Sequence, residues 1–173
     1  MDTNESYNSP EYSQTPPTEN LNPVQPQFKM KWYKFLIYFS LFFSAVVNFA
    51  SGIMQITGLN YSISGGSASV VYMYYGMGLK IVDVIFGIFV IAMAVFAIYT
   101  RFRLAGFKQN GPMSYYILLA ANAIGSTIYY IAVTFMTGIM MFDSSTITTL
   151  VSSIVMLALN VVYFNKRSEL FVN

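Results

Sequence analysis

Lys80 and Asp83 are the residues of this chain best placed to do chemistry. They lie at the start of its longest apolar run, Ile81 to Thr100, which only Asp83 interrupts. Three residues apart on a helix, they share a face and can pair directly. An ionisable residue inside a membrane span is costly unless paired, and so points first to function. Counting a twenty-residue core back from Thr100 puts Lys80 at the boundary and Asp83 just inside it. A helix core beginning near Tyr75 puts Asp83 about 12 Å deep at 1.5 Å per residue. Two readings follow. In one, the residues form a boundary ion pair that sets the depth of the helix, with Lys80 snorkelling to water. In the other, they serve a polar pocket.

The pocket reading draws on neighbours at comparable depth: Asn48, Ser51 and Gln55 in a first apolar stretch, Tyr130, Thr134 and Thr137 in a third, and Thr148, Thr149 and Ser152 in a fourth. Converging, these faces would make a polar, outward-opening cavity over an apolar inner half. The competing expectation is that such hydroxyl and amide side chains join helices in lipid. Small residues four apart, Ala121 with Gly125 and Ser44, Asn48 with Gly52, let helices approach closely, within one chain or between chains.

Other chemistry has little to work with. The 173 residues contain no cysteine and no histidine, which removes disulfides, thiolate nucleophiles and the commonest metal ligand and general base. No phosphate-binding loop, dinucleotide fingerprint or metal-ligand cluster is present. Catalysis is not expected, no cofactor or metal is implied, and a net charge of +2 does not point to nucleic acid. With 55% hydrophobic and 9% charged residues, the composition is far from the soluble average of about 25% charged.

The elements that must position these residues can be taken in order. Residues 1–28 hold five of the six prolines and four charges, all acidic, and are expected to form a disordered tail. These first residues do not read as a signal peptide, so insertion is expected to depend on the first long apolar helix. Spans are expected at about 32–57, 75–100, 113–138 and 146–164, each long enough for a hydrocarbon core of about 30 Å. An uncharged loop, about 58–73, separates the first two. Tyr61, Tyr72, Tyr74 and Tyr75 flank it, as aromatic residues do at a headgroup boundary. Pro112 fits the first turn of the third helix, where its missing amide costs nothing.

Charge sets the orientation. Lys29, Lys31 and Lys34 precede span one, Arg101, Arg103 and Lys108 lie between spans two and three, and Lys166 and Arg167 follow span four. The two other loops contain neither Lys nor Arg. Basic residues are retained on the cytoplasmic side, so both termini are expected there. The segment 101–108 also interleaves basic and aromatic residues suited to anionic headgroups.

The blocks Trp32-Tyr-Lys-Phe-Leu-Ile-Tyr, Tyr99-Thr-Arg-Phe-Arg-Leu-Ala-Gly-Phe-Lys-Gln-Asn-Gly-Pro112 and Asn160-Val-Val-Tyr-Phe-Asn-Lys-Arg-Ser-Glu-Leu-Phe171 resemble those of small, uncharacterised four-span proteins of Gram-positive bacteria. The resemblance covers about residues 29–171 and implies a four-helix membrane bundle, without implying an activity. A cysteine-containing zinc ribbon ahead of span one, which some such proteins carry, does not carry over to a chain lacking cysteine.

The expectation is therefore an all-α membrane protein, a four-transmembrane-helix bundle with a disordered tail and a membrane domain over 29–173. Its expected partners are the lipid bilayer, other membrane proteins and copies of itself. The alternative is a small transporter or solute-binding protein using Lys80 and Asp83.

Overall fold

A computed structural model describes residues 30–171. The tail expected over residues 1–28 lies outside the described residues, as does Lys29. Four helices are long and apolar enough to cross a membrane: Lys31–Thr57, Met77–Ala105, Gly111–Thr137 and Ser144–Asn165. No strand occurs among the described residues.

The first of these runs as α1 (Lys31–Phe35), a π-helical turn (Leu36–Ser40) and α2 (Leu41–Thr57). Within the π turn the carbonyl of Ile37 accepts a hydrogen bond from Arg101 Nε at 3.1 Å. A side chain donating into a widened turn is one of the physical causes of irregularity in a long helix. The stretch read as a loop folds instead into two short helices, α3 (Leu59–Ile63) and α4 (Ala68–Tyr75). Gly76, at φ +89°, breaks α4 from α5 (Met77–Ala105) in a backbone conformation that a side chain disfavours. The second span thus begins two residues later than expected. It also runs past Thr100, because nothing before Gly106 stops it, and Arg101 and Arg103 are helical. The chain continues through α6 (Gly111–Thr137), with Pro112 in its first turn, and α7 (Ser144–Asn165).

Helix α5 is the axis. Its buried residues, among them Leu79, Asp83, Gly87, Val90, Ala94, Ala97 and Leu104, recur every three or four positions and form one continuous stripe. α2 packs along it most extensively and α6 next, while α7 packs chiefly on α6 over a shorter length and reaches the first span through Asn160 and Phe164. α2 and α5 cross at Gly52 and Gly87. A Cβ on either glycine would fall 2.8 Å from the other's carbonyl oxygen, so the crossing is closed to any larger residue. On the opposite flank Phe89 packs onto Gly125 of α6, where a Cβ would lie 2.3 Å from the ring. Gly52 and Gly125, one member of each small-residue spacing, therefore serve contacts inside the chain.

At the end carrying the Lys and Arg residues (the basic end), an aromatic cluster joins all four long helices. Phe164 of α7 has the rings of Tyr33, Tyr115, Tyr116, Tyr163 and Phe171 at centroid distances between 5.4 and 6.3 Å. A short 3-10 turn, Ser168–Leu170, brings Phe171 back onto this cluster. Tyr33 stacks on Phe107 at 5.3 Å, and its hydroxyl donates to the carbonyl of Leu104.

Candidate functional site

Asp83 lies on the buried stripe of α5 and is 0% exposed. A carboxylate so placed needs donors for both oxygens, because an unsatisfied buried acceptor costs on the order of 1–3 kcal/mol. It has four. Oδ1 accepts from Gln55 Nε2 of α2 at 3.0 Å and from the Tyr129 hydroxyl of α6 at 2.9 Å. Oδ2 accepts from the hydroxyls of Tyr61 on α3 at 2.8 Å and Tyr72 on α4 at 2.9 Å. Five helices, α2 to α6, therefore meet at one side chain.

A second layer orients the donors. Gln55 lies three residues beyond Gly52, on the same side of α2, so the glycine crossing delivers it to Asp83. Its amide oxygen accepts from Asn60 Nδ2, and its amide nitrogen also reaches the Tyr129 hydroxyl. Tyr129 is held flat against Phe86, with centroids 4.1 Å apart and planes 15° from parallel. Tyr61 and Tyr72 meet edge to face at 5.6 Å. Burial, followed by the hydrogen bond to the Asp83 carboxylate and its charge, pushes the Tyr72 hydroxyl up to about 12. The same causes, burial first, raise Tyr61.

Lys80 takes no part. No ion pair joins it to Asp83 among the described residues. Lys80 is exposed, about 60° round the helix from Asp83, whose oxygens are already filled by neutral donors. The pairing expected from local spacing is thus replaced by tertiary hydrogen bonds.

The other residues of the expected pocket separate. Asn48 is half-buried and Ser51 exposed on α2. Thr134 and Thr137 tie down the turn after α6, accepting from the amides of Met141 and Ile139, each at 3.2 Å. Thr149 bonds to the carbonyl of Ser145 at 2.9 Å and is exposed, as is Ser152. Of the polar residues read from the sequence, Asp83 and Gln55 meet. Tyr61, Tyr72 and Tyr129 complete the cluster and carry no sequence signal that separates them from ordinary boundary aromatics.

Two spaces adjoin this framework. A cavity of about 330 Å³ lies beside the cluster, lined by Tyr61, Val71, Tyr75, Tyr129 and Tyr130 among others. A groove of about 440 Å³ opens between α6 and α7, lined by apolar and small residues including Ala123, Thr127, Leu150 and Ile154. No three side chains suited to a metal ion gather among the described residues.

No protein-family model matches the chain, and no curated protein or solved structure matches it either.

Proposed function

We propose that this is a multi-pass protein of the bacterial cell membrane that acts without catalysis, through contacts with other membrane proteins or copies of itself. One observation carries the reading: the buried polar site is filled by the chain's own side chains, while the groove between α6 and α7 is open. Small and hydroxyl-bearing residues line it or stand near it, and membrane helices associate through such faces. The orientation we assign, with both termini cytoplasmic, is supported by eight of the nine Lys and Arg residues falling at one end of the four spans. The bacterial assignment rests on the resemblance to small four-span proteins of Gram-positive bacteria.

The test is to fill the groove with Ala123→Trp and compare copurifying proteins and oligomeric state with wild type after extraction into nanodiscs. Loss of a partner or of an oligomer supports the reading; an unchanged set of contacts removes it. The cavity beside Tyr61 and Tyr129 favours one alternative, a protein that holds a small uncharged solute at the loop end. That alternative no longer involves Lys80. It requires that Tyr130→Ala, and not Ala123→Trp, alter solute binding.

A further inference from the structure

The α3–α4 cap has two faces. One holds Asp83 through Tyr61 and Tyr72. The other is apolar and open: Val70, Met73 and Tyr74 share a side of α4 and are 57, 83 and 80% exposed. Met77, the first residue of α5, is 64% exposed. From Phe35 to Leu79 the chain has no charged residue, so no charge in this segment draws the cap into bulk water. In water this surface would be an uncovered apolar patch.

Its depth is fixed by the carboxylate. Asp83 is the third residue of the apolar run that starts at Ile81, and the hydroxyl of Tyr72 touches it directly. α4 therefore sits within one tyrosine side chain of the edge of the hydrocarbon. We infer that α4 is an interfacial helix, lying at the boundary of headgroups and acyl chains with Val70, Met73 and Tyr74 in lipid. Helices of this kind bury an apolar face about 5–10 Å into that boundary, and tyrosine suits it because its ring is apolar and its tip polar. Most carry Lys or Arg on the polar face and depend on anionic lipid. α4 has neither, and its opposite face is held by Asp83 instead. Its lipid contact is therefore indifferent to headgroup charge, and it links the membrane surface to the buried carboxylate.

The inference rests on the membrane-crossing reading, and the experiment separates the two. In a Trp32→Phe background, which removes the only native tryptophan, single reporters are introduced as Met73→Trp, Val70→Trp and, as a control on α5, Ile88→Trp. Each full-length protein is reconstituted in phosphatidylcholine brominated near the headgroup end of the acyl chain. Emission from the two α4 reporters should fall about twofold, with little quenching by aqueous iodide, and equally when half the lipid is phosphatidylglycerol. Iodide quenching without bromolipid quenching would place α4 in water and overturn the inference. Protection from both quenchers that varies with protein-to-lipid ratio would mean that a second copy covers α4, and would overturn it too. Failure of bromolipid quenching at Ile88→Trp as well would overturn the membrane-crossing reading itself. Met73→Trp and Val70→Trp are independent, so a fold defect in one leaves the other to decide.

Discussion

At the loop end, five helices converge on the two oxygens of one aspartate, and every partner is a neutral donor. At the basic end, Phe164 is surrounded by five aromatic rings, and the joint is made by packing. The two joints differ in what their tyrosines do. Tyr61, Tyr72 and Tyr129 spend their hydroxyls on Asp83. The hydroxyls of Tyr116 and Tyr163 are buried with no hydrogen-bond partner among the described residues. Tyr33 bonds the Leu104 carbonyl, but Tyr116 and Tyr163 act there as rings, whereas all three tyrosines at Asp83 act as donors. Directional bonds fix a geometry, whereas packed rings tolerate adjustment as long as volume is kept.

This contrast can be broken at either end. Phe164→Ala should have the largest effect, a loss of about 4 kcal/mol, because it empties the centre of the aromatic cluster. Equilibrium unfolding in mixed micelles measures it, and the signature is separation of α7 from the other spans. Asp83→Ala should cost about 3 kcal/mol by leaving four donors without their acceptor. Its signature is opposite: hydrogen exchange should rise over α3 and α4 while the aromatic end stays protected. If exchange rises equally at both ends, the two joints are not separate.

A finer comparison uses one chemical change in two places. Tyr72→Phe should cost about 1 kcal/mol through the lost bond to Asp83. Tyr116→Phe should cost nothing measurable, or stabilise slightly, because its hydroxyl is buried unbonded. Equal costs would remove the distinction drawn between the joints.

The smallest effect is in pH. Tyr72 ionises near 10 when unfolded and near 12 in place, so its folded value is raised. Its contribution is complete below about pH 10 and is lost as pH climbs toward 12, since the unfolded chain gives up the proton first. Stability measured across that window should fall less steeply in Tyr72→Phe than in wild type. Asp143 works in the other direction. The hydrogen bond from the Thr146 amide lowers its carboxyl, so its capping of α7 is present at neutral pH and fades as acid protonates it.

The spans were legible because each is a predominantly apolar stretch of sufficient length with at most a rare charge, a property held locally in the sequence. Their ends moved by a few residues where a glycine, at Gly76 or Gly106, decided the boundary. The candidate site was legible in part. A carboxylate in an apolar run must have partners, and that much Asp83 announced. Local spacing nominated Lys80. The partners came instead from residues 28, 22, 11 and 46 positions away, brought in by the Gly52–Gly87 crossing and by two short helices hidden in an uncharged stretch. Tyrosine beside a membrane reads equally well as a boundary anchor or as a donor. Only the fold separates the two, and it does so for Tyr61 and Tyr72 against Tyr74.

The π turn at Leu36–Ser40 bears on how this chain can change length. Deleting one residue from a regular helix rotates everything beyond it by about 100° and turns its buried face outward. A π turn already holds a surplus residue, so a deletion within it can relax the turn to α-helix and leave the following register in place. Beyond it lie Gly52 and Gln55, whose positions decide the helix crossing and the grip on Asp83. The chain can therefore lose an exposed residue of this turn, Tyr38 or Phe39, with the bond from Arg101 at stake, whereas the same loss between Leu41 and Gly52 would carry both out of place.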